Sequence, residues 1–107
     1  MSAIQEKIKR LEKYLAADDA GVDRVVEQTV DKLLEREVAR LTELLTRLAT
    51  ELGDFEKQHG MKSDDFYARF ERGELGDATD FVEWSATYKM VGNLNKRLAL
   101  LQQGAPR

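Results

Sequence analysis

Apolar residues recur along this chain at spacings of three and four, and no segment alternates apolar with polar over a sustained run. That pattern is the signature of helices, each with one buried face, and it predicts an all-α protein without strands. Ile4, Ile8, Leu11 and Leu15 mark a first helix over about residues 3–17. Ser2 is placed to cap it, with Gln5 three positions later to complete a capping box. Asp18-Asp19-Ala20-Gly21 reads as the break that follows, with Gly21 able to end the helix in the left-handed conformation.

A second stripe runs through Val22, Val26, Val30, Leu34, Val38, Leu41, Leu45, Leu48, Leu52 and Phe55. From Leu34 onward its spacing is that of a heptad seam. Leu33 and Leu44 widen it, so this helix is expected to meet more than one neighbour. A helix over about residues 22–58 spans roughly 55 Å at 1.5 Å per residue. That is long for so small a domain. Gly53 is the natural break point, yet the pattern reads best as one helix running through it, closed by Gly60 after His59.

Ser63 is read as the cap of a short helix over about residues 64–72, with Asp64 and Asp65 in its first turn, where the helix dipole favours negative charge. Gly73 ends it and Glu74-Leu75-Gly76 turns the chain. Asp77 or Asp80 is the expected cap of a last helix over about 78–102, with Glu83 completing a possible capping box behind Asp80. Its stripe is Phe81, Trp84, Tyr88, Val91, Leu94, Leu98 and Leu101, with Asn95 near the seam, where a polar residue can set register. Gly104-Ala105-Pro106-Arg107 reads as a frayed tail. The expected architecture is a single helical domain over residues 1–107: a long antiparallel, coiled-coil-like hairpin with a short helical elbow and an N-terminal helix. Val22, Val26, Val30 and Leu34 have no intrachain partner of matching length, which favours a homodimer.

Composition narrows the chemistry. The chain has 107 residues, enough for one domain with a modest core. It has no cysteine, which removes disulfides, thiol nucleophiles and cysteine-held zinc. No apolar run approaches a membrane span, and the first residues lack the apolar core of a leader, so the expected location is the cytoplasm. The net charge of −3 argues against nucleic-acid binding. Only Lys7, Lys9, Arg10 and Lys13 of the first helix offer basic surface, and a solvated face explains them. Residues 63–83 hold seven carboxylates against Arg69 and Arg72, a local excess of five negative charges.

Candidate catalytic groups do not assemble. Asp64 and Asp65 are adjacent and point about 100° apart on a helix, so they cannot share a proton. His59 is the only histidine and has no nucleophile pattern around it. It suits a helix C-terminus, where positive charge is favoured. Asp77, Asp80 and Glu83 lack the spacing of a calcium loop. Gly73 and Gly76 lie in an acidic turn that repels phosphate. The expectation is a protein that is not an enzyme, with no cofactor and no metal.

The informative stretch is FEKQHGMKSDDFYARFERGELGDATDFVEW, residues 55–84. It sets bulky aromatics beside a run of carboxylates, a combination that suits a basic protein partner through electrostatic steering. Phe66, Tyr67, Phe70 and Trp84 are the candidate anchors, and Glu71, Glu74, Asp77 and Asp80 the candidate steering charges. An aromatic plug closing the end of the hairpin is the simpler role for the rings.

The motif formed by Phe55 to Tyr67, then Phe70-Glu71-Arg72-Gly73-Glu74-Leu75-Gly76-Asp77, then Asp80-Phe81-Val82-Glu83-Trp84, resembles a family of small helical proteins of bacteria and archaea. They are associated with the antitoxin partners of TumE-type toxins. The resemblance covers about residues 55–90. It implies a protein that binds a small cognate toxin and masks it. A structural coiled-coil dimer and a small DNA-associated regulator working through the first helix are the alternatives.

Overall fold

The computed structural model describes residues 2–17 and 24–103. Four helices account for nearly all of them: α1 (Ala3–Ala17), α2 (Arg24–His59), α3 (Ser63–Glu71) and α4 (Thr79–Gln102). No strand occurs among the described residues. The expected elements are therefore present, and the ends that fall among the described residues agree to within one residue. The break at 18–21, the start of the second helix at Val22 and the tail at 104–107 lie outside the described residues.

Two compact units divide the chain, Met1–Leu34 and Glu35–Arg107. In the first, the capping box of α1 forms as expected: the Gln5 N–H donates to Ser2 Oγ (3.2 Å) and the Ser2 N–H to Gln5 Oε1 (3.0 Å). No α1 residue is buried. Ile4, Ile8 and Leu11 stay exposed on α1, as do Val30, Leu33 and Leu34 at the start of α2. Leu15 and Val26, on the same stripes, are half-buried.

The second unit holds the core. Leu41 and Leu48 of α2 and Leu94 of α4 are buried together, with Leu44, Leu45, Val91, Leu98 and Leu101 packed around them. Each such side chain removed from water stabilises the fold by about 1.5–3 kcal/mol. The last residue of α2, His59, packs against Phe81 near the start of α4, so the two helices run antiparallel as a hairpin. α2 stays helical through Gly53. Asn95 is exposed and off the Leu94 seam, so it does not set register in this core. The reason is angular: the face centred on Val91, Leu94 and Leu98 turns residue 95 towards the flank.

The elbow closes through two glycines. Gly60 has φ +61° and Gly73 φ +76°, the left-handed conformation that a side chain makes costly. After α2, the Met61 N–H reaches back to Glu56 O (3.3 Å). After α3, Glu74 N–H donates to Arg69 O and Gly73 N–H to Phe70 O, both at 3.0 Å, which is a Schellman closure.

Two capping expectations are corrected. Lys62, not Ser63, is the N-cap of α3, and it makes no side-chain cap. Ala78, not Asp77 or Asp80, is the N-cap of α4, again without a side-chain cap, so the Asp80–Glu83 box does not form. The Ser63 and Asp80 side chains are drawn to a neighbouring helix, where tertiary partners win over local ones, and Asp77 makes no side-chain hydrogen bond among the described residues.

Candidate interaction surface

The corner is built from the ends of α2 and α4 and the whole of α3. Its centre is aromatic. Phe66 and Trp84 are each fully buried, with parallel rings 3.8 Å apart between centroids. Phe55 stacks on Trp84 at 5.6 Å, and His59 at 5.4 Å. Phe81 meets the His59 ring edge-on at 5.2 Å, and Phe70 extends the stack from Phe66 at 5.5 Å. Ring pairs in such offset arrangements add about 0.5–1.5 kcal/mol each beyond the area they bury.

A polar chain runs through this plug. Trp84 Nε1 donates to Ser63 Oγ at 2.9 Å, a bond buried in the corner. The Ser63 N–H donates to Glu56 Oε2 at 2.8 Å. The Ser63 hydroxyl is a further donor to the same carboxylate, and these two bonds hold the Glu56 carboxyl below its usual pKa. Glu56, from α2, therefore supplies the acceptor at the N-terminus of α3 that the sequence assigns to Ser63. Three helices are tied by three side chains. Sequence reasoning places Ser63 at this point but misses Glu56, because a spacing of seven across a glycine turn carries no local signature.

The carboxylates form the outer layer. Glu71 and Glu74 are exposed. Glu74 pairs with Arg72 and, at 3.6 Å, with Arg69, and the Arg72 contact lowers its pKa. Glu71 lies 3.9 Å from Lys89 Nζ and accepts from the Tyr67 hydroxyl, which raises the tyrosine pKa. Asp80 accepts from Gln58 Nε2 at 3.3 Å and lies 3.8 Å from His59 Nε2. That imidazole nitrogen is enclosed and makes no hydrogen bond among the described residues. Asp77 is exposed and has no ion pair or side-chain hydrogen bond among the described residues. On the next flank, Tyr67 stacks on Tyr88 at 4.6 Å, and the Tyr88 hydroxyl donates to Asp64 at 2.6 Å.

The eight residues singled out from the sequence thus separate by depth. Phe66 and Trp84 are enclosed and cannot touch a partner, so as surface anchors they are corrected: their rings are the plug. Phe70 and Tyr67 are half-buried. Glu71, Glu74, Asp77 and Asp80 gather at the rim. Among the described residues no group of carboxylates and histidine is arranged to hold a metal ion. No described helix is long and apolar enough to cross a membrane. No family model matches the chain, no curated protein matches it, and no solved structure matches it.

Proposed function

We propose that the protein is a non-catalytic interaction module, an antitoxin-like homodimer that binds a small basic partner and masks it. The observation that carries this reading is the layering of the corner: a buried aromatic plug beneath an acidic rim with an excess of five negative charges over residues 63–83. A rigid floor fixes where the carboxylates stand, and fixed carboxylates steer a basic partner and set its orientation. Tyr67 and Phe70, half-exposed, are the apolar contacts at the edge. The likeness of residues 55–90 to the antitoxin partners of TumE-type toxins agrees with this role.

The test is co-purification of the tagged protein with the product of the adjacent gene, repeated with Glu71→Lys, Glu74→Lys and Asp77→Lys combined. The reading expects a stoichiometric basic partner, lost from the triple variant while circular dichroism stays helical. Asp77→Lys alone is the cleanest single change, since Asp77 has no ion pair or side-chain hydrogen bond among the described residues to lose. Unaltered capture by the folded triple variant would remove the rim from the interface.

A second reading, a structural helical dimer without a client, is favoured by the exposed Ile4, Ile8 and Leu11 of α1. Recovery of the chain with no other protein supports that alternative.

A further inference from the structure

Between α2 and α4, beside the start of α3, lies a hollow of about 380 Å³. That is within the range of small-ligand pockets. Half-buried Leu52 of α2 and Val91 of α4 give it an apolar lining. Gly92 also borders it, and no heavy atom lies within 4 Å of where a Cβ would be. Glycine is a poor helix former, and no intrachain contact requires it in this α4 interior. Its missing side chain leaves the hollow open. Two carboxylates stand at the border, Glu56 from α2 and Asp64 from α3. Each is held by a neighbour, Glu56 by the Ser63 N–H at 2.8 Å and Asp64 by the Tyr88 hydroxyl at 2.6 Å. Neither makes an ion pair among the described residues, and Lys62, the one cation at this border, pairs with neither of them. The hollow thus sets two fixed, unpaired carboxylates beside apolar side chains, with a net negative charge.

From these features we infer that the hollow receives an arginine side chain of the basic partner. The inference rests on the reading above and deepens it: the exposed rim steers the partner, and the hollow anchors it. Tyr88 joins the two, since its ring stacks at 4.6 Å on Tyr67, the half-exposed contact at the edge. An arginine suits both parts of the lining. Its methylene stem lies along Leu52 and Val91 while its charged head stays with the carboxylates. Its planar guanidinium presents several donors at once, matched to the carboxylate oxygens that Ser63 and Tyr88 leave free. Those oxygens are already positioned, so little ordering is needed when the arginine arrives. Arginines that fill such pockets recur among the residues that dominate binding energy.

A short blocked peptide, acetyl-Gly-Arg-Gly-amide, titrated into the isotope-labelled full chain and followed by NMR tests this. The same peptide with citrulline in place of arginine keeps the shape and removes the charge. The expected result is a saturable shift at Ser63, Val91 and Gly92 with the arginine peptide and none with the citrulline one. Asp64→Asn raises the Kd about threefold, as expected for one solvent-accessible ion pair. Gly92→Leu favours the helix and fills the hollow, so it abolishes the shifts while circular dichroism stays helical. Shifts that fail to saturate, or that survive Gly92→Leu, or that citrulline reproduces, overturn the inference. In the co-purification above, a partner lost from the rim variant but retained by Gly92→Leu overturns the hollow alone and leaves the interaction module standing. Absence of any partner, with the arginine peptide still saturating the hollow, removes the masking role and leaves the arginine site in place.

Discussion

Trp84 lies flat on Phe66, with 3.8 Å between ring centroids and 4° between planes, and neither residue has any accessible surface. One ring comes from α4 and the other from α3, so this pair fastens the short helix to the hairpin. Replacing Phe66 with Ala should cost about 3–5 kcal/mol, the range for deleting a fully buried aromatic. Urea unfolding followed by circular dichroism measures it. A loss below 1 kcal/mol would mean that the plug is not the principal anchor of α3.

Glu56 should behave as the cap of a helix to which it does not belong. Glu56→Ala removes the acceptor for the Ser63 N–H, at a cost of about 1 kcal/mol, typical of a lost N-cap. The pH dependence has a definite sign. The folded-state pKa of Glu56 is depressed, so its contribution is present above the ordinary value of 4.5 and disappears as pH falls through the folded value. Acid unfolding below about pH 4.5 should therefore be less steep for the variant than for the wild type. Equal slopes would show that the carboxylate takes no part.

Two glycines should respond in opposite directions. Gly60→Ala forces a side chain into φ +61° and should destabilise by about 1–2 kcal/mol. Gly53→Ala lies inside α2 with no atom within 4 Å of the added methyl group, and should stabilise by about 1 kcal/mol. Thermal melts of the two variants beside the wild type give both signs at once.

Tyr88 should ionise later than an ordinary tyrosine, because its hydroxyl donates to Asp64 and a phenolate there would face a carboxylate. Asp64→Asn should bring the titration back towards pH 10. The stabilising bond is fully present below the unfolded value near 10 and is lost as pH rises through the higher folded value. Ultraviolet difference titration of wild type and variant reads the change directly.

Helix positions were legible because leucines and valines at three- and four-residue spacing answer to the helix period, whatever surrounds them. The corner was legible as a cluster of rings, since Phe66, Phe70, Phe81 and Trp84 fall at helical spacing on either side of a glycine turn. Depth was not. Nothing local distinguishes Trp84, which is sealed, from Tyr67, which is half-open; that depends on which neighbour covers the ring. The capping residues failed for a related reason. Ser63 and Asp80 have good capping chemistry, but Trp84 and Glu56 claim the first, and Gln58 lies against the second. Local rules cannot see a donor that arrives from another helix.

The Glu56–Ser63–Trp84 chain also says something about the order in which the molecule comes into being. Its bonds join residues seven and twenty-one positions apart. Links this short close little loop, so the elbow can assemble early, ahead of contacts that need the far ends of α2 and α4 brought together. On a ribosome, α2 would wait without a mate until residue 84 emerged. The corner would then set, and the hairpin would zip away from it towards Leu41 and Leu101.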